Sequence, residues 1–162
     1  MIAPRLFTIE RTGPGQLSTM AAPRGGDWLP EEMQALRFLG VDTVVSMLTE
    51  REDWELDLTD EAQAAGAAEL RLVTLPTPDR ETPGVVPTRA LAQLLVQDLQ
   101  AGRGVAIHCR AGIGRSSLLA AALLRIEGVP ANEVWSRISH ARGLPVPDTD
   151  AQRRFVDKLE GA

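Results

Sequence analysis

Short apolar runs rich in β-branched residues alternate along this chain with longer segments whose apolar residues recur at helical spacing. The runs at residues 43–47, 70–75 and 104–107 are typical of buried strands. Two further runs, at residues 6–9 and 16–20, flank a Thr-Gly-Pro-Gly turn and predict a hairpin or a pair of edge strands.

Local signals mark where the helices between these strands begin and end. Asp27 is a candidate N-cap for a helix that stops at Gly40, Thr88 is one for a long helix, and Asp148 or Thr149 is one for the last. The predicted helices span residues 29–39, 59–66, 89–101, 116–127, 130 or 132 to 141, and 151–159. This alternation predicts an α/β fold with a mostly parallel sheet of about four to five strands, flanked by helices on both faces.

Composition narrows the class of protein. A chain of 162 residues, 44% of them hydrophobic, is expected to form one domain with its own core. No apolar stretch approaches the roughly 18 residues of a membrane span, and residues 1–5 lack the apolar core of a secretion signal. One cysteine cannot form an internal disulfide, which fits a reducing, cytoplasmic location. A net charge of −5 argues against nucleic acid as a partner, and two histidines suggest no metal site.

The chemistry is concentrated in residues 108–117, HCRAGIGRSS, between the strand at 104–107 and the helix at 116–127. Backbone N–H groups that converge at a helix N-terminus bind anions, because they lack partners within the helix and the helix dipole adds positive potential. The lone cysteine, Cys109, lies in this loop beside arginine, so we expect it to be a nucleophilic thiolate near neutral pH.

Each neighbour of the cysteine suits phosphate chemistry. Glycine permits positive φ and close approach to an anion, Arg115 can grip two phosphate oxygens, and Ser116 can donate its hydroxyl to the sulfur. His108 is expected to point away from the pocket, to order the loop and to help tune the cysteine. The expected phosphate-binding residues are Arg110, Ala111, Gly112, Ile113, Gly114 and Arg115. The alternative, a buried cysteine in a glycine-rich turn, leaves Arg115 unexplained.

This stretch resembles the signature of the protein tyrosine phosphatase superfamily: His-Cys, five residues, Arg, then Ser or Thr. The resemblance implies attack by Cys109 on phosphorus, a phosphocysteine intermediate, and no cofactor or metal. It also implies a general acid on an upstream loop, for which Pro78-Asp79 lies 30 residues before the cysteine. The surrounding prolines are similar to the acid loop of small atypical dual-specificity enzymes of the kinase-associated-phosphatase type. Asp79 is the preferred acid, ahead of Glu81 and Asp53.

Two further segments, residues 39–50 and 141–152, are similar to the same family. Within the first, Glu50 either orients Arg115 or is an exposed charge at a strand end. Gln152 either positions a water or lies on a helix surface. We expect the charged stretch at residues 49–54 to lie on the surface, with Trp54 as a packing anchor beneath it rather than a substrate-stacking ring.

The predicted function is therefore a cysteine-dependent phosphomonoester hydrolase of the tyrosine or dual-specificity type. A phosphate-binding or scaffolding module without turnover, and an arsenate reductase or sulfurtransferase, are the competing interpretations. The expected partner is a phosphoprotein or a small phosphoester, with no nucleic acid or membrane partner, and a monomer is favoured. Arg110 adds a single charge beside the nucleophile, so a lipid substrate is a minor possibility.

Overall fold

A computed structural model describes residues 3–159; Met1 and Ile2, the first residues of the N-terminal stretch considered above, and residues 160–162 lie outside the description. Five strands form one sheet: β1 (Phe7–Thr8), β2 (Gln16–Met20), β3 (Thr43–Ser46), β4 (Arg71–Thr74) and β5 (Gly104–His108). Their order across the sheet is β1-β2-β5-β3-β4. Only β1 runs antiparallel to its neighbour, so the predicted mostly parallel sheet is confirmed, and β5 is its central strand.

Helices connect the strands and cover the sheet. They are α1 (Leu29–Phe38), α2 (Glu50–Glu55), α3 (Glu61–Ala67), α4 (Val85–Gln100), α5 (Arg115–Ile126), α6 (Ala131–Arg142) and α7 (Asp150–Asp157), and a short 3₁₀ turn (Gly26–Trp28) precedes α1. Within residues 3–159, none of these helices combines the length and the apolar character needed to cross a membrane.

Two apolar clusters lie on opposite faces of the sheet. Val105 and Ile107 of β5 belong to the cluster that α4, α5, α6 and α7 complete, whereas Ala106 belongs to the cluster of α1 and α3. Successive side chains of a strand point to opposite faces, so a strand that contributes to both clusters is covered on both sides. Residues 115–124 of α5 are also buried, and the loop between β5 and α5 is therefore anchored at both ends in the core.

Two predicted N-caps were wrong, although the first of these helices begins at Leu29 as predicted. The turn containing Asp27 leads directly into α1 without a side-chain cap, so its assignment as N-cap was wrong. Helix α4 begins at Val85, and Thr88 lies within its first turn, where its hydroxyl donates to the Gly84 carbonyl at 2.6 Å. A threonine can satisfy its hydroxyl in this way inside a helix, which is why its presence did not mark the start.

Helix α2 was not predicted, because its charged sequence has no apolar periodicity over six residues. It begins with a capping box: Thr49 accepts from the backbone N–H of Glu52, and the Glu52 carboxylate accepts from the backbone N–H of Thr49. The packing role expected for Trp54 was also wrong, because this side chain is 75% exposed on α2. Local capping rather than an apolar face therefore starts this helix.

Candidate active site

The loop of residues 109–114 begins at the carboxyl end of the central strand and ends at the first turn of α5. A cavity of about 210 Å³ opens above it. The side chains and backbone that line this cavity belong to Asp79, Arg80, Cys109, Arg110, Ala111, Gly114, Arg115 and Asp148. The structure therefore brings the upstream aspartate to the cysteine loop, as the sequence predicted.

Cys109 lies at the inner wall of this cavity. Only 3% of the residue is exposed, and its Sγ lies 3.2 Å from the Oγ of Ser116 on the first turn of α5. When the sulfur is ionised, this hydroxyl can donate a hydrogen bond to it. A hydroxyl donor and a helix N-terminus are both features that stabilise a thiolate.

His108 points beneath the loop and away from the cavity. Its Nε2 lies 2.6 Å from Glu61 Oε2, and its Nδ1 lies 3.3 Å from the Cys109 carbonyl oxygen. These two contacts fix the orientation of the imidazole ring beneath the loop. Asp53 lies in the same buried region, where burial and then the charge of Glu61 raise its pKa.

Arg115 is fixed by a two-point ion pair. Its Nη1 lies 2.6 Å from Glu52 Oε1 and its Nη2 lies 2.9 Å from Glu52 Oε2, while Nη1 also donates to the Thr77 carbonyl at 2.7 Å. Only 1% of Arg115 is exposed. Burial, the largest single effect, opposes both charges, but the hydrogen bonds and the attraction of opposite charges together outweigh it, so the pKa of Glu52 is lowered and that of Arg115 is raised.

Glu52 is a site residue that the sequence pattern did not indicate, since Glu50 was the candidate considered there. Glu50 is exposed on the first turn of α2, whereas Glu52 turns inward. The available signal was the Thr49-x-x-Glu52 spacing of a capping box, which also predicts the helix start. That signal does not reveal the pairing with an arginine 63 residues further along the chain.

Asp79 stands at the mouth of the cavity, in the turn after Pro78. Its side chain is 58% exposed, and its Oδ1 lies 3.4 Å from Arg115 Nη2. Two residues earlier, the Thr77 carbonyl accepts a hydrogen bond from the same guanidinium, so the aspartate loop and Arg115 are directly linked. The carboxyl group therefore lines the same cavity as Cys109 and Arg115.

Asp148, just before the start of α7, also lines the cavity. Gln152 is fully buried there: its Nε2 donates to the Glu81 carbonyl at 3.2 Å, and its Oε1 accepts from the Asp148 N–H at 3.2 Å. The expectation of a helix-surface glutamine was therefore wrong. Through this amide, α7 holds both the aspartate loop and the segment that carries Asp148.

Arg110 lies on the rim with 43% of its side chain exposed. Its Nε is 3.8 Å from Glu52 Oε2 and its Nη2 is 3.6 Å from Glu55 Oε2, so carboxylates partly balance its charge. In the part of the chain that the structure describes, no three His, Cys, Asp or Glu side chains are grouped in a way that could hold a metal ion.

Comparison with solved structures shows the same fold throughout the chain. Kinase-associated phosphatase (KAP), in a form whose catalytic site cysteine is replaced by serine, is 18% identical and superposes with a TM-score of 0.88, covering 99% of this chain and 98% of that one. Tk-PTP in its active form is 23% identical, with a TM-score of 0.73 and coverage of 95% and 96%. PTPMT1 in complex with PI(5)P is 19% identical, with a TM-score of 0.70 and coverage of 90% and 92%.

Fold and loop together define a small atypical dual-specificity phosphatase, an enzyme that acts on phosphoesters. The chain belongs to the family described as "Polymorphic toxin system, DSP-PTPase phosphatase", because the model of that family matches residues 18–128. The matched region contains Asp79, Cys109 and Arg115. A comparison with curated proteins found no match.

Proposed function

We propose that this phosphatase hydrolyses phosphomonoesters through a phosphocysteine intermediate on Cys109. The observation that carries the proposal is the shared cavity: the cysteine, the fixed guanidinium of Arg115 and the carboxyl group of Asp79 all line it. The solved relative KAP supports this proposal, because its catalytic site residue is described as a cysteine.

In the first step, the Cys109 thiolate attacks phosphorus in line with the ester oxygen. The S–P bond forms as the P–O bond to the leaving group breaks, and protonated Asp79 gives its proton to the departing oxygen. The nonbridging oxygens are held by Arg115 and by the backbone N–H groups of residues 110–114. Because Glu52 already fixes Arg115, little reorientation is needed when phosphate enters.

In the second step, water attacks the phosphocysteine. Asp79, now ionised, takes a proton from this water as its oxygen bonds to phosphorus, and the S–P bond breaks to release phosphate and the thiolate. The Ser116 hydroxyl, 3.2 Å from the sulfur, stabilises the returning negative charge. His108 supports the loop from below through the Cys109 carbonyl.

A phosphoprotein or small phosphoester is the proposed substrate. The cavity of about 210 Å³ is small, and a largely exposed Asp79 stands at its mouth, so the ester group lies near the surface. Several leaving groups can then reach the cysteine. Rates with phosphotyrosine, phosphoserine, phosphothreonine, phosphoinositide and nucleotide substrates measure which of these the rim accepts.

The test is the reaction of the wild-type protein and of Cys109→Ser with para-nitrophenyl phosphate at mildly acidic pH. We expect turnover in the wild type and none in the variant, while inorganic phosphate still protects both from thermal unfolding. Rapid acid quench of the wild type should trap phosphate on Cys109 by mass spectrometry. Normal turnover by Cys109→Ser would refute the assignment. Phosphate binding without wild-type turnover would indicate a binding module, whereas thiol-dependent arsenate reduction or sulfur transfer would indicate an arsenate reductase or a sulfurtransferase.

A further inference from the structure

The carbonyl groups of the cysteine loop are held from outside the cavity. The Cys109 carbonyl faces His108, and the Arg110 carbonyl accepts from the Ala22 N–H at 3.1 Å. The next two carbonyls, of Ala111 and Gly112, both accept hydrogen bonds from the Arg142 side chain. In a trans peptide the C=O and the N–H point in opposite directions, so each outward carbonyl turns the following N–H toward the other side of the loop.

The side chain that holds the last two carbonyls is Arg142, at the end of α6. Its Nη2 donates to the Ala111 carbonyl at 3.2 Å, and its Nε donates to the Gly112 carbonyl at 3.0 Å. Its guanidinium also stacks on the ring of Phe7 in β1, 4.2 Å from the ring centroid. Planar stacking with two directed donors is geometry that arginine provides and lysine does not.

We propose that Arg142 is a positioning residue for phosphate binding: by holding two carbonyls outward, it keeps the N–H groups of Gly112 and Ile113 turned toward the anion. Phe7 is the platform that orients the guanidinium. The proposal rests on the proposed function of the loop. Residues 18–128, which match the family, include the loop but neither Phe7 nor Arg142, so this support comes from segments at both ends of the chain.

The nearby Gly112 shows why this part of the loop needs an external hold. Its φ is +72°, and a Cβ there would lie 2.8 Å from the Met20 backbone. Glycine permits this close approach but leaves the adjacent peptides free to rotate. A fixed partner for the carbonyls on either side of Gly112 Cα therefore has a large effect on where the N–H groups point.

The experiment compares Arg142→Ala with Arg137→Ala, a matched control on the same helix whose guanidinium pairs with Glu133 on the surface. Two properties are measured: kcat/KM for para-nitrophenyl phosphate, and the dissociation constant of inorganic phosphate by calorimetry. Losing fixed oxyanion donors typically costs about 10²-fold or more, so we expect Arg142→Ala to lose about 10²-fold in kcat/KM. We also expect Arg142→Ala to bind inorganic phosphate about 10-fold more weakly, because the same donors hold the bound phosphate ion. In the Arg137→Ala control, neither property should change by more than about twofold.

Chemical rescue separates positioning from a general loss of structure. Methylguanidinium added to Arg142→Ala should restore part of kcat/KM and part of the phosphate affinity. Arg142→Lys should remain below the wild type in both properties, because lysine lacks the planar pair of donors. Phe7→Leu keeps an apolar side chain but removes the ring, and it should weaken phosphate binding a few-fold in the same direction.

Each outcome decides the proposal. If Arg142→Ala binds phosphate as tightly as the Arg137→Ala control, Arg142 does not position the loop. If Arg142→Ala unfolds, the Phe7→Leu and Arg142→Lys variants carry the test, and unchanged phosphate affinity in both would overturn it. Phosphate binding is measured without turnover, so a wild-type protein that lacks phosphatase activity would refute the proposed function while leaving this test intact.

Discussion

The ion pair between Glu52 and Arg115 allows a sharp test of how the site is held together. Replacing Glu52 with Gln removes the carboxylate charge but keeps a side chain that can complete the capping box with Thr49. The variant therefore leaves the start of α2 in place and isolates the effect of removing the buried carboxylate that pairs with Arg115. Arg115 is 1% exposed, so its charge cannot be compensated by water without rearrangement.

The expected magnitude follows from burial. Removing one partner of a buried ion pair typically costs about 3–5 kcal/mol, and Gln can still accept one hydrogen bond, so we expect about 3 kcal/mol. For a protein of this size, 1 kcal/mol corresponds to about 2–4 °C in Tm, which predicts a decrease of about 6–12 °C. If the loss of the Glu52 carboxylate shifts the Arg115 guanidinium by about 1 Å, kcat/KM should fall by about 10²-fold.

The pH dependence gives an independent check. The pKa of Glu52 is lowered in the folded protein from an ordinary value of 4.5, against the opposing effect of burial, by hydrogen bonds from Arg115 and Thr49. A lowered folded-state pKa means that this carboxylate stabilises the protein above its unfolded pKa, and that the stabilisation is lost as pH falls through the folded value. The stability difference between wild type and Glu52→Gln should therefore be largest near neutral pH and shrink below about pH 4.5.

Urea unfolding followed by circular dichroism across this pH range measures the effect, with Glu50→Gln as the control on the same helix turn. Glu50 is exposed, so we expect its substitution to change stability by less than about 1 kcal/mol at any pH. If Glu52→Gln were as stable as Glu50→Gln near neutral pH, or if its deficit did not depend on pH, the buried ion pair would not have the role assigned to it.

Two further predictions concern the acid and the loop. Asp79→Asn should lose about 10²–10⁴-fold in kcat/KM with alkyl phosphates and much less with para-nitrophenyl phosphate, because the leaving group of the latter needs no proton. Asp148→Asn, at another cavity-lining position, is the control. An equal loss for all leaving groups in Asp79→Asn, or the same pattern in the control, would contradict the assignment. Gly112→Ala should be destabilised by about 1–2 kcal/mol for its φ of +72° and by a further 1–3 kcal/mol for its clash with the Met20 backbone. Gly102→Ala is the control, because its φ is +85° with nothing within 4 Å of a Cβ, and equal unfolding energies for the two variants would contradict the crowding argument.

The sheet and the cysteine loop were predictable because their signals are local. A buried strand, a glycine-containing loop and an apolar helix follow one another within residues 104–126, and the proposed site residues Cys109 and Arg115 lie inside that run. Parallel strands with helical connections then constrain the possible topologies. The central position of β5 nevertheless depends on its pairing with β2 and β3, which lie far upstream in the chain.

The supporting role of His108 was predicted, but the partners of the supporting residues were not predictable because they are distant in sequence. His108 meets Glu61 across 47 residues, and Arg142 reaches the loop across 30 or 31. Charged residues in a segment without apolar periodicity are usually solvated, which is the interpretation that the sequence favoured for residues 49–54. Only the packing of α2 against the site distinguishes Glu52 from the exposed Glu50.

The cysteine loop is anchored between two buried elements, β5 and the start of α5, whereas the residues around the cavity mouth are exposed. Strand β5 and the first ten residues of α5 have almost no exposed surface, so the proposed nucleophile Cys109 and the phosphate-binding Arg115 of the proposal are part of the core, whereas the proposed acid Asp79 lies at the cavity mouth. Arg80, Glu81 and Asp148, by contrast, lie at or beside the cavity mouth with their surfaces open to solvent. A library of variants restricted to Arg80 and Glu81 should therefore yield enzymes with altered substrate preferences and nearly unchanged melting temperatures.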